Sequence, residues 1–209
     1  MIANQRLTAS DGYEVCLFPL EYMNIFQDEY GSYSHQGILA IDFLGWGANG
    51  RVFNCPYYAP FSCTCVATAS SNGRVWQSNN PVHLADGTLD YACIDVAHDD
   101  NPPSLGDTRV QGDILGHTGV AGHATGDHVH MNFSKGTYDG WDSTQGDRQL
   151  KNSIHIYDAT FVDNTVIING AYHDWKSWSN VIPFTRNSKF PWVLYSRKLR
   201  EKNKLNHKN

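Results

Sequence analysis

The sequence predicts a mostly β protein, a compact antiparallel β-sheet with few short helices. Three observations lead there. Helical periodicity is nearly absent, short stretches alternate apolar with polar residues, and clusters of Gly, Asn, Asp and Pro separate them. The 209 residues are 41% hydrophobic and 18% charged, so there is apolar surface for a core and too little charge for a disordered chain.

In chain order, alternation predicts strands over residues 14–18, 37–43, 63–69, 74–78, 89–97 and 127–133, with breakers at 45–50, 79–81, 99–106 and 136–146. A further pair, 159–162 and 165–169, flanks Asp163-Asn164, which reads as a tight hairpin turn. Polar residues dominate 140–151. They set a soft boundary between a domain of residues 1–150 and an extension of 151–209, which is aromatic-rich at 171–178 and 190–195 and basic at its end.

Charge is also unevenly spread along the chain. Residues 186–209 hold eight Lys or Arg against one acid, whereas 1–185 hold eight basic residues against twenty acids. An acidic body argues against a nucleic-acid reader. No run of about 18 apolar residues and no basic-then-apolar leader is present, so neither a membrane span nor a signal peptide is expected. Five cysteines, Cys16, Cys55, Cys63, Cys65 and Cys93, cannot all pair within one chain, and buried free thiols from a reducing compartment are expected.

The chemistry concentrates in Asp127-His128-Val129-His130-Met131-Asn132-Phe133. Alternation puts His128, His130 and Asn132 on one face and Val129, Met131 and Phe133 on the core face. Two imidazoles then project side by side, one able to bind zinc while the other reaches a water. Upstream, Gly116-His117-Thr118-Gly119 and Gly122-His123-Ala124-Thr125-Gly126 supply tight turns beside that strand.

The run G-H-T-G-V-A-G-H-A-T-G-D-H-V-H-M-N-F resembles the signature of the lysostaphin/LytM-type zinc endopeptidases of peptidoglycan, roughly G-x-x-x-G-x-x-G-x-S-T-G-P-H-L-H-F-E. The likeness covers about residues 34–133. It implies a groove over the metal, one Zn2+ per chain, and His35, Asp42 and His130 as its protein ligands. The family's H-x-x-x-D has Leu39 at the acidic position here, so the spacing becomes H-x6-D, which some phage tail lysins resembling the family share. In a regular strand, seven residues extend about 23 Å and an odd separation places two side chains on opposite faces. His35 and Asp42 can meet only if the chain bends, and Gly37 is the natural place.

The resemblance extends to His98, which ends the strand-like Tyr91–His98 in a Y-A-H-like context, and more weakly to Tyr58-Ala59-Pro60. His128 would be the general base and later pass the proton to the leaving amine. His98 would steady the oxyanion or share the proton work, and the division between the two stays open. Asn132 stands where the family has Glu. His123 and Tyr138 are candidate substrate contacts. Trp76 and Trp141 read as groove or, more commonly, core, and Asp95 reads as surface in preference to a carboxylate orienting an imidazole. His83, His117, His155, His173 and His207 receive no role.

The implied activity is zinc-dependent endopeptidase hydrolysis of peptide bonds in the stem or cross-bridge of bacterial peptidoglycan. The missing leader, the long ligand spacing and the basic tail suggest a phage lysin, made in the host cytoplasm and acting at the cell wall from the virion tail or after release at lysis. Peptidoglycan is the expected partner, with other phage tail proteins and with anionic wall polymers bound through Lys198, Arg200, Lys202 and Lys204. Two alternatives stand beside it: a non-catalytic structural or wall-binding module of a phage tail, and an amidase cutting the sugar-to-peptide linkage.

Overall fold

The computed structural model describes residues 1–178. The aromatic stretch 190–195 and the basic tail expected from the sequence lie outside the described residues. Nine strands build the main sheet: β1 (Tyr22–Gln27), β2 (Ile41–Phe43), β3 (Cys63–Thr68), β4 (Arg74–Ser78), β5 (Ala92–Ala97), β6 (Thr108–Arg109), β7 (Val129–Lys135), β8 (Ser153–Ile154) and β9 (Val166–Asn169). Their order is β6-β3-β4-β5-β7-β2-β1-β9, with β8 pairing to β7. All these pairings are antiparallel except β1 with β9. Among the described residues helix is sparse, with α1 (Ile156–Ala159) and a 3-10 turn at Gly146–Arg148. Among the described residues no helix is long and apolar enough to cross a membrane.

Alternation along the central strands decides what is buried. Ile41 and Phe43 of β2, Ile94 and Val96 of β5, and Met131 and Phe133 of β7 all enter one core cluster with Phe18, Trp76 and Ile156. Phe18 packs edge-on against both Phe43 and Trp175, with ring centroids 5.2 and 5.3 Å apart. The residues between them, Asp42, Asp95, His130 and Asn132, face the other side of the sheet. All five cysteines are buried and free.

Several expected elements differ. Residues 14–18 are largely buried but form no strand, because successive amides bond to different segments: Cys16 N to His83 O, Leu17 N to Pro60 O and Phe18 N to Phe161 O. Residues 159–162 and 165–169 do not form a hairpin. Phe161 bridges Leu17 and β9 runs parallel to β1, so the turn at Asn164 (φ +54°) sends its two arms to separate partners. β1 was not expected, although Met23 and Ile25 alternate into the core. Residues 151–178 continue the same sheet and core through β8, α1, Phe161 and β9.

Candidate active site

The site begins as one row across the sheet. Ala97 of β5 pairs with His130 of β7, His130 with Asp42 of β2, and Asp42 with Gln27 of β1. Cross-strand partners share a face, so His130, Asp42 and Gln27 stand abreast. His130 Nδ1 lies 3.0 Å from Asp42 Oδ1. Its Nε2 donates to the Arg148 carbonyl at 3.2 Å, which leaves Nδ1 as the lone-pair atom of the neutral ring.

His35 reaches this row from a turn outside the strand. Gly37 adopts φ +78°, and the His35 amide donates to the Gly31 carbonyl, so the chain folds back before β2 begins. The imidazole is 1% exposed. Nδ1 donates to the Asp28 carbonyl at 3.0 Å, which bares Nε2 toward Asp42 Oδ1 at 3.2 Å. That Nε2 is buried and has no hydrogen-bond partner.

His35, Asp42 and His130 thus offer three ligand atoms that all lie within 4.8 Å of one another. Bonds of about 2.0–2.1 Å to a tetrahedral ion would place neighbouring donors about 3.4 Å apart, close to the separations from Asp42 Oδ1. Two bare nitrogens facing one carboxylate oxygen repel unless a cation or protons lie between them. The donor set therefore suits one divalent ion.

Two further imidazoles flank this set. His128 precedes β7 on the same face, with Nδ1 donating to the Gly126 carbonyl at 2.7 Å and Nε2 lying 3.8 Å from Asp42 Oδ2. His98 follows β5, with Nδ1 donating to the Ala121 carbonyl at 2.8 Å. Their ring centroids are 4.4 Å apart. In each neutral ring the bonded Nδ1–H leaves Nε2 free to take a proton. His98 holds φ +81°, a conformation a non-glycine residue adopts only when its surroundings impose it. Gly119 is part of that surround: it exchanges backbone hydrogen bonds with His128, both 3.1 Å, and a Cβ there would collide with the His98 carbonyl. Asp127 braces the segment, its carboxylate accepting from Thr118 Oγ1 at 2.7 Å and the Asn54 amide at 2.9 Å, with Arg51 on its carbonyl.

Burial alone would raise the Asp42 carboxyl, but the imidazoles of His130 and His35 hold it well below the usual carboxylate range. Burial would lower His130; in the protonated ring Nδ1–H donates to Asp42, and that bond with the charge of the carboxylate reverses the sign and raises it. Burial pushes His98 down to about 4, against the bond to Ala121 and helped by the neighbouring His128 and His130.

Asp42, His98, His128 and His130 open onto a cavity of about 390 Å³, whose rim includes Phe26, Tyr33, His123 and Thr125. His35 lies behind it. Of the two candidate substrate contacts, His123 lines the cavity and Tyr138 does not: Tyr138 packs with Trp141 beside the cluster of Val75, Cys93 and Leu150. Trp76 is fully buried in the core. Asp95 corrects the surface expectation, being 1% exposed, with an Oδ1 that has no hydrogen-bond partner. Asn132 braces a loop: its Oδ1 accepts from the Leu150 amide at 2.9 Å and Ser153 Oγ at 3.0 Å. Sequence reasoning did not find Gln27, Asp28 or Arg148, which act here through single amide or carbonyl groups and carry no motif.

A second cluster adjoins the His35 turn. His155 and His173 stack on the two faces of Tyr157, with centroids 4.8 and 4.6 Å away. His155 Nδ1 meets Glu29 at 2.7 Å and His173 Nε2 meets Asp28 at 2.8 Å.

No protein-family model matches the chain. It is similar to Morphogenesis protein 1 of Bacillus phage B103, 39% identical over 171 residues, which are 80% of this chain and 46% of that protein. The chain therefore spans less than half the length of that curated relative. Among solved structures, the catalytic domain of the antimicrobial peptidase lysostaphin from Staphylococcus simulans is 19% identical, with 56% of this chain and 84% of that chain covered at a TM-score of 0.41. A mutant of the catalytic domain of the prophage-encoded M23 protein EnpA from Enterococcus faecalis is 16% identical, with 64% and 88% covered, also at 0.41.

Proposed function

We propose that this chain is a zinc-dependent endopeptidase that hydrolyses peptide bonds in the stem or cross-bridge of bacterial peptidoglycan, and that it serves a phage as a wall-degrading lysin. The observation that carries the reading is the convergence of three bare donor atoms, from His35, Asp42 and His130, beside two imidazoles whose free nitrogens border one cavity. The H-x-H strand with its glycine-rich approach supports the substrate class, and the similarity to a Bacillus phage protein supports the phage setting.

His35 Nε2, Asp42 Oδ1 and His130 Nδ1 would hold the ion. A bound zinc supplies Lewis acidity toward the scissile carbonyl and lowers the pKa of water toward about 7. The chain's own groups do the rest. His128 Nε2 takes the proton of the attacking water, with the Asp42 carboxylate 3.8 Å away to balance the imidazolium. That proton then passes to the leaving amine. His98, 4.4 Å from His128 between ring centroids, shares the proton work or steadies the oxyanion. Phe26 and Tyr33 border the groove and offer exposed aromatic faces to the peptide.

The test is digestion of purified peptidoglycan by the zinc-loaded chain, followed by mass spectrometry of the muropeptides. New peptide amino termini that disappear with His130→Ala are the expected result. Cleavage at the sugar-to-peptide linkage would make the chain an amidase, and zinc uptake without any cleavage would make it a binding module.

A further inference from the structure

The amide of Gln27 touches both the carboxylate and the turn that together form two thirds of the proposed ligand set. Its place there is unusual for β1, in which Met23 and Ile25 point into the core. The next residue on that face would be Gln27. Between Ile25 and Gln27 the register with β2 slips: Ile25 pairs with Phe43, and Gln27 with Asp42. Two residues of β1 therefore oppose a single step of β2. A bulge of this kind re-aims side chains, and here it turns Gln27 out of the core and into the row with Asp42 and His130.

Once there, Gln27 makes three hydrogen bonds. Nε2 donates to Asp42 Oδ2 at 3.0 Å and to Ser34 Oγ at 2.7 Å, while Oε1 accepts from the Ser34 amide at 3.1 Å. The bond to Oδ2 leaves Oδ1 as the oxygen that faces His35 and His130. The two bonds to Ser34 fasten the residue immediately before His35. Gln27 thus bridges the residue before a histidine on a turn to an aspartate on a strand seven positions beyond that histidine.

We infer that Gln27 is a positioning residue for the metal site: it selects Oδ1 of Asp42 as the ligand oxygen and ties the His35 turn to β2, which makes the H-x6-D spacing workable. The inference rests on the zinc reading above and adds a residue to it.

The experiment uses the full chain, stripped of metal, in wild-type and Gln27→Met forms. Methionine keeps the length and removes every polar contact. Zinc affinity is read by competition with a chromogenic chelator, and ligand geometry by the visible spectrum of the cobalt(II) form. The expected result is a 10–100-fold weaker zinc affinity with shifted cobalt bands, in metal-free protein whose circular dichroism matches wild type. Equal affinity and an unchanged cobalt spectrum would overturn the inference while leaving the zinc reading intact. A wild-type chain that takes up no zinc would overturn both. Should the methionine form fail to fold, the side-chain amide resonances of wild-type Gln27 decide. Protection from solvent and a shift that saturates at one zinc per chain support the role, and free exchange with no response to zinc refutes it.

Discussion

Asp95 offers a sharp test of how burial sets charge in this sheet. It lies on β5 opposite Asn132 and Val75, 1% exposed, with one carboxylate oxygen lacking any partner. Burial raises its pKa to about 7, against a lowering from His130 and with a small addition from Asp147. An unfolded Asp titrates near about 3.9. Between about pH 4 and 7 the native state therefore keeps a proton that the unfolded chain has released, so stability falls as pH rises through that interval and stays reduced above it. The full difference is about 4 kcal/mol. Asp95→Asn keeps the shape and cannot ionise. Measured by urea unfolding of metal-free protein, the variant should gain on wild type by about 2.7 kcal/mol between pH 5 and pH 8. Comparing the two proteins cancels the titration of the histidines that Asp95 does not touch, and leaves only its charge interaction with His130 in the difference. A gain below about 1 kcal/mol would refute the argument that a buried, unpartnered carboxylate is held protonated here.

Gly119→Ala should destabilise the fold by about 1–3 kcal/mol in urea unfolding, because its Cβ would collide with the His98 carbonyl, and it should lower wall hydrolysis by displacing that imidazole. Removing zinc with a chelator should lower the thermal midpoint; with free zinc at 100 times its dissociation constant, the stability lost is about 2.7 kcal/mol. Phe43→Ala, in the core beneath Asp42, should cost about 3–5 kcal/mol in chemical denaturation, with the midpoint falling and cooperativity retained.

Local patterns in the sequence reached some of this architecture and missed the rest for physical reasons. Arg74–Ser78 is a strand over the expected residues, and alternation in 127–133 separates His128 and His130 from Val129 and Met131 as the sheet does. The four histidines and one aspartate named from the resemblance, His35, Asp42, His98, His128 and His130, gather at one place, with His35 behind the cavity the others line. What sequence could not supply was long-range pairing. Residues 14–18 alternate like a strand yet bond residue by residue to three distant segments. Tyr138 resembles a groove aromatic and packs elsewhere, because its place depends on Leu150 and Val75 rather than on its neighbours. Gln27 owes its role to a register slip between two strands, which no single-strand pattern records.

The imidazole–phenol–imidazole stack at Tyr157 reaches further than its own surroundings. Its two outer rings grip the carboxylates of Glu29 and Asp28, and the peptide oxygen of that same Asp28 fixes which nitrogen His35 turns toward Asp42. A chain cut after residue 150 would keep His35, Asp42 and His130 yet lose the two histidines that hold Glu29 and Asp28 beside the His35 turn.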